Sequence, residues 1–304
     1  MCGIVGIVAY ERAPLGKYMI KMLESLQHRG EDSAGVAMYW DKKKAKEDEF
    51  IVRMLTKDII GSAGKISTAI AASGGNIRKI RLHPIEGYSF DRYVVKIPEK
   101  NLELLSEEVR ETGVSEVLSI GRWMEIVKDV GWVRNLDDKF DVSNWVSTHG
   151  IGHVRFSTES DVDLLHAHPF QSFSYPDMAV VENGQITNYY KVRDKLAKKG
   201  HKFYTENDAE LIVHYVAELL ANGATLGEAL SQSVEELDGP FTYIISTANE
   251  IGVVRDKLGL RPGVIMEADN ISMIASEEAT LRLVGIEGMI RNLRPGEVKV
   301  WKVD

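Results

Sequence analysis

The sequence is poor in cysteine: Cys2 is the only one among 304 residues. No intrachain disulfide is possible, and a reducing, cytoplasmic setting is expected. Long apolar runs are also missing. The start, MCGIVGIVAYER, has a short apolar run with no basic stretch before it, and no span of 18 apolar residues follows. Neither a signal peptide nor a transmembrane helix is expected. Excess positive charge is lacking too. Net charge is −8 with a pI near 5.6, so a uniform nucleic-acid-binding surface is not expected. No repeat and no low-complexity tract stands out.

What is present is ordinary globular composition, 44% hydrophobic and 27% charged. At this length a sizeable core can form without a metal or disulfide. Two breaks divide the chain. One is the charged stretch Asp41–Glu49, read as a solvated connection. The other is Asn135–Ser147, polar and without helical period.

Residues between the breaks suggest a β-α-β-β-α-β order. Strands are expected at Glu49–Leu55, Asn76–His83, Arg92–Ile97 and Ser115–Ile120. Helices are expected at Ile60–Ala72 and Asn101–Thr112, the latter ended by Gly113. The flanking segments hold many short β-rich runs with clustered helices, and Thr247–Glu250 and Ala268–Asn270 read as hairpin connections. Two antiparallel sheets covered by helices satisfy this pattern.

Several residues could carry chemistry. Cys2 would become the N-terminus if Met1 were trimmed. Its α-amine, with an ordinary pKa of about 7.7–8, could then serve the thiol as general base. Against this stands the commoner role of a lone cysteine as a small buried hydrophobe. Gly3 leaves room for substrate or backbone approach. The run Gln27–Gly35 joins a helix to a strand and reads on its own as a charged turn. Arg155 alternates with apolar neighbours; it suits either a structural salt bridge or a substrate carboxylate. Asn183–Gly184 follows a strand, as a tight turn or as a side-chain amide and backbone N–H that would stabilise an oxyanion. Asn207 and Glu210 have capping-box spacing, with Asp208 in the first helical turn.

In order along the chain come Cys2-Gly3-Ile4-Val5-Gly6, Arg29-Gly30-x-Asp32-Ser33-Ala34-Gly35, Gly152-His153-x-Arg155, Asn183-Gly184 and Asn207-Asp208-x-Glu210. This set resembles the class II glutamine amidotransferases, which belong to the N-terminal nucleophile hydrolases. The resemblance covers about residues 2–40 and 148–300. It implies an α+β fold, a four-layer αββα sandwich, with a catalytic domain at 2–46 and 148–304. Residues 47–147 would be an inserted ferredoxin-like subdomain.

By position, the resemblance makes Cys2 the nucleophile and Asn183 with Gly184 the oxyanion hole. Arg155 would take the α-carboxylate of L-glutamine with Thr158 assisting, Asp208 its α-ammonium, and Arg29 would border the pocket. No cofactor or metal is implied. Glu182 and Glu159 depart from the family, which often has His at the first position and His or Ala at the second. The run Arg255-Asp256-x-Leu258-Gly259-x-Arg261-Pro262 resembles a stretch of several amidotransferases. The overall likeness is to stand-alone subunits related to glutamate synthase and N-methylglutamate synthase. That implies a separate synthase subunit as ammonia acceptor, with homo-oligomerisation open. The rival readings are another N-terminal-cysteine amidohydrolase and a non-catalytic amino-acid-binding regulatory protein.

Overall fold

A computed structural model describes residues 1–40, 48–85, 87–157 and 161–303. The chain opens with β1 (Gly3–Ala13), α1 (Leu15–Ser25) and β2 (Ser33–Tyr39). It continues through β3 (Glu49–Lys57), α2 (Ser62–Ala72), β4 (Asn76–Arg81), β5 (Pro84–Ile85), β6 (Tyr88–Lys96), α3 (Leu102–Glu111) and β7 (Ser115–Gly121). Then come β8 (Met124–Val130), α4 (Val133–Phe140), β9 (Ser147–Arg155), β10 (Phe170–Gln171) and β11 (Ala179–Gly184). Helices α5 (Tyr189–Ala197), α6 (Asp208–Ala221) and α7 (Leu226–Glu236) follow. The last elements are β12 (Phe241–Ser246), β13 (Glu250–Arg255), β14 (Val264–Glu267), β15 (Ile271–Ala275), α8 (Glu278–Leu283), β16 (Met289–Asn292) and β17 (Val298–Lys302).

Two compact units result. The first comprises Met1–Trp40, Val127–Ser172 and Met178–Asp304. It contains a sheet ordered β16-β14-β15-β1-β9-β2-β8 and another ordered β10-β11-β12-β13-β17. Their pairings are antiparallel wherever the register is defined, and β12–β13 and β14–β15 are the hairpins expected from their short connections. Helices α1 and α8 pack on the seven-stranded sheet, α6 and α7 on the five-stranded one, and β1 and β9 meet β11 and β12. Strands covered on both sides bury every side chain. Accordingly β12 reads Phe241-Thr-Tyr-Ile-Ile-Ser246 without an exposed position.

Helix α1 buries Leu15, Met19, Met22 and Leu23, the i, i+4, i+7, i+8 stripe of an amphipathic helix. It lies close to the sheet because β9 carries glycine beneath it. A Cβ on Gly152 would stand 2.7 Å from the Met19 sulfur. Gly3 answers to the same packing: its Cβ would meet Val154 Cγ2 at 2.8 Å and Leu26 Cβ at 3.0 Å.

The second unit comprises the described residues of Asp41–Ile126 together with Phe173–Asp177. Its sheet runs β4-β6-β3-β7, with β5 paired to β6, and α2 and α3 bury Ile66, Ile70, Leu105 and Val109 in a core with Phe50, Val52 and Tyr93. Gly113, at φ +69°, ends the α3 segment as expected.

The compact units divide at a different place from the second break of the sequence. Residues 127–147 group with the first unit, so the first segment of the second unit runs to Ile126, whereas the sequence suggested an insertion to residue 147. The polar stretch 135–147 contains most of α4, whose Val133 and Leu136 are buried with Phe140 packed against the same core. Two apolar contacts on an eight-residue helix leave too little periodicity to read. The expected boundary at residues 46 and 47 lies outside the described residues. Among the described residues no helix is long and apolar enough to cross a membrane.

These boundaries give a direct check. Replacing residues 41–126 by a short Gly/Ser linker should leave a cooperatively folding protein in urea unfolding followed by circular dichroism. Extending the deletion to residue 147 should abolish cooperative unfolding, because it removes the rest of β8 and all of α4 from the first unit. Equal behaviour of the two deletions would contradict the boundary at Ile126.

Candidate active site

Cys2 stands just before β1. The register pairs Gly3 with Val154 and, on the other side of β9, Ser33 with Arg155. Cys2 is partly exposed, and its Sγ donates to the Phe156 carbonyl at 3.6 Å. The turn after α1 holds this end of the sheet. Arg29 Nε donates to the Cys2 carbonyl at 2.9 Å, and its Nη1 pairs with Glu277 at 2.7 Å. Gly30 lies against the Arg155 backbone; a Cβ there would be 2.4 Å from the Arg155 carbonyl carbon. Asp32 binds the same strand twice: its N–H donates to the Arg155 carbonyl at 3.0 Å, and its carboxylate accepts from Ser157 N at 2.6 Å. The Arg29–Gly35 run is therefore a clamp on the strand ends that carry Cys2 and Arg155.

A cavity of about 1120 Å³ opens beside Cys2 and includes Arg155, Asn183, Gly184 and Asp208 in its walls. Five positions singled out in the sequence thus converge. Arg29 does not; it touches the backbone of Cys2 and is not part of the cavity wall. Thr158, like Glu159, lies outside the described residues.

Asn183–Gly184 is not a tight turn. The pair sits at the end of β11, opposite Thr242 and Phe241 of β12. Gly184 is required by close approach, since a Cβ would meet the Pro240 carbonyl at 2.2 Å. Asn183 is buried, and its Nδ2 has no hydrogen-bond partner. That amide is an unspent donor at the cavity.

Asn207 caps α6 by accepting from Ala209 N at 2.9 Å. The expected capping box does not close. Glu210 turns instead to Tyr204 N, Thr205 N and Thr205 Oγ1, each at 2.7 Å. Asp208, at the helix start, accepts from Ile186 N at 3.0 Å.

Burial shapes the electrostatics. It pushes the Cys2 thiol up, with the Glu182 charge adding and Arg155 opposing. His153 is driven down to about 3 by burial, and His168, stacked on it at 4.0 Å, well below the usual histidine range, so both rings are neutral. Burial, then the charge of Asp208, raises Glu182 well above the ordinary carboxylate range, with Arg261 opposing.

Other groups at the site escaped the sequence reading. Arg261 reaches the cavity because Asp256 accepts from Leu258 N and Leu260 N while Arg255 Nε donates to the Arg261 carbonyl at 2.8 Å. The Arg255–Pro262 motif was visible, but not which arginine it presents. Lys128, on β8, donates to the Ala167 carbonyl at 2.8 Å and is lowered by burial to about 8. Nothing in its sequence surroundings signals this. Asp161, Asp163 and His166 bring ligand atoms within 4.8 Å of one another. Asp163 already accepts from both His166 nitrogens, the backbone N–H and Nδ1, at 2.8 Å, which accounts for the cluster without an ion.

Residues 153–282 match a family described as a glutamine amidotransferase domain. A "Putative glutamine amidotransferase" of Methanothermobacter thermautotrophicus is 42% identical over 307 aligned positions, covering all of both chains. The glutamine amidotransferase-like protein GlxB of Rhizobium meliloti is 32% identical, covering 99% of this chain and 98% of its own. Among solved structures, a glutamine phosphoribosylpyrophosphate amidotransferase from B. subtilis superposes with a TM-score of 0.62 at 21% identity. The match covers 98% of this chain and 47% of that one, so this chain spans about half its length, and the likeness bears on the fold alone. Fold, site order and full-length identity agree: the chain belongs to the class II glutamine amidotransferases.

Proposed function

We propose that this protein is a glutaminase subunit: it hydrolyses L-glutamine to glutamate and ammonia through a thioester on Cys2, and passes the ammonia to a separate synthase subunit. The observation that carries this reading is the convergence on one cavity of a thiol, an unpartnered buried amide donor, a cation and an anion, namely Cys2, Asn183, Arg155 and Asp208. A free amino acid brings two opposite charges and an amide, and the cavity offers a complement to each. Another amidohydrolase would have no use for both Arg155 and Asp208, and a purely regulatory protein no use for the thiol.

With Met1 in place the nitrogen of Cys2 is an amide and not a base. Once Met1 is removed, the free amine takes the Sγ proton as sulfur attacks the glutamine side-chain carbonyl. The oxyanion lies toward Asn183 Nδ2 and the backbone of Gly184. As the C–N bond breaks, the proton passes to the leaving nitrogen and ammonia departs. Water then attacks the γ-glutamyl thioester and releases glutamate, restoring the thiol. Arg155 holds the α-carboxylate, with Thr158, and Asp208 holds the α-ammonium; Arg29 positions Cys2 through its carbonyl.

The same reading takes the first unit as the four-layer αββα sandwich and the second as a ferredoxin-like subdomain. The helix packing on each sheet and the β4-β6-β3-β7 order support it. It assigns the protein to the glutamate synthase and N-methylglutamate synthase type, working in the cytoplasm. Members of this class transfer amide nitrogen, so an acceptor is needed for ammonia that would otherwise be wasted.

Cys2→Ala should abolish glutamine hydrolysis with the fold unchanged, and protein shown by intact mass to retain Met1 should be almost as inactive. Substantial turnover by Met1-bearing protein would exclude the amine as base. Arg155→Ala should lower kcat/KM for glutamine about 10- to 150-fold, the equivalent of a charge-assisted contact of about 1.5–3 kcal/mol. Asp208→Asn should act similarly and also weaken binding of glutamate. Steady-state kinetics on the folded variants decide both roles; wild-type kcat/KM in either removes that assignment.

A further inference from the structure

Glu182 stands on β11 immediately before Asn183, and only 5% of its surface is exposed. Its carbonyl accepts from His153 Nε2 at 2.9 Å, which fixes the backbone. Glu182 is part of the cavity wall, and its Oε1 is fully buried and has no hydrogen-bond partner. That oxygen lies over Gly184: a Cβ on the glycine would be 2.6 Å from it. From the other side, Asp208 at the start of α6 accepts from Ile186 N at 3.0 Å. Two carboxyl groups, from β11 and from α6, therefore converge on residues 184–186 at one wall of the cavity.

We propose Glu182 as a second carboxyl group, beside Asp208, that receives the α-ammonium of the substrate; this rests on the glutamine reading above. Two acidic groups side by side in a water-poor pocket repel when both are ionised, and a cation between them relieves both the repulsion and the unsatisfied oxygen. Arg261, which also faces the cavity, opposes the repulsion but makes no hydrogen bond to Oε1. Around Glu182, the Cys2 thiol, raised by burial, and the rings of His153 and His168 are neutral, while Arg155 and Arg193 add positive charge to the cavity wall.

Burial and the Asp208 charge favour a proton on Glu182 while the site is empty. Entry of an ammonium favours the carboxylate, and the proton leaves to solvent. The balance is one carboxylic acid plus one ammonium giving one ion pair and one released proton. Affinity for glutamine therefore rises with pH until the empty site itself ionises.

The test is calorimetric titration of L-glutamine into the Cys2→Ala protein, repeated near neutral pH in buffers of different ionisation enthalpy. About one proton should be released per glutamine bound. Glutaric acid monoamide, which lacks the α-amine, should bind without release. Adding Glu182→Gln should remove the release and weaken glutamine about tenfold or more. The first measurement stands without the second variant, should that variant fold poorly. Glutamine binding with no proton release, or with release unchanged by Glu182→Gln, overturns the proposal while leaving the glutamine reading intact. No glutamine binding at all by the Cys2→Ala protein overturns the glutamine reading, and the role of Glu182 with it.

Discussion

The antiparallel register of β1, β9 and β2 is the constraint on which the site depends. It stands Gly3 opposite Val154 and Ser33 opposite Arg155, so the residue before β1 and the last residue of β9 meet at one end of the sheet. Side chains alternate with period two along a strand, so a slip of one residue would turn Arg155 away from the cavity and carry its apolar neighbours into it. Three devices prevent the slip. Gly3 and Gly152 admit α1 at a distance no side chain would allow. Asp32 grips the Arg155 strand end through its N–H and its carboxylate. Arg29 joins the Cys2 carbonyl to Glu277, in front of α8.

The five-stranded sheet supplies the facing wall by different means. Asn183 is held at the end of β11 by pairing with β12, and Asp208 by the cap of α6. Arg261 is presented by a loop wound around Asp256. The wall concentrates unmet polar demand: Glu182, Asn183, Arg193 and Arg261 all line the cavity, and each carries a buried atom without a hydrogen-bond partner. Such a group costs about 1–3 kcal/mol when it stays unmet. Polar groups spaced along the sequence from residue 182 to residue 261 are gathered here on one cavity wall.

Much was legible from the sequence alone. Most strands and helices of the first unit follow from runs of apolar residues, and the helix–strand order of the second from its periodicities, because burial imposes those spacings locally. The ordered set of short motifs identified the class, and Cys2, Arg155, Asn183, Gly184 and Asp208, which it singled out, line one cavity. Where local pattern was thin the reading failed. Helix α4 anchors itself by few apolar contacts, β8 carries the buried Lys128, and most of the stretch around them groups with the first unit and not with the expected insertion.

Roles that depend on distance in space were beyond any spacing rule. Glu210 has the position of a capping-box partner but turns to Tyr204 and Thr205, a choice made by the fold of residues 201–207 over the helix start. Arg29 falls within a site motif yet serves the backbone of Cys2. Glu182 reads as an isolated substitution beside Asn183; only the arrival of α6 from the other side gives its carboxyl group a neighbour in Asp208. The sequence by itself determined which chemical groups this protein has and the periodicities that build its strands and helices, since those rest on contacts between near neighbours. The tertiary structure decided which of those groups face one another and which stay unpartnered, since that depends on the register of strands far apart in the chain.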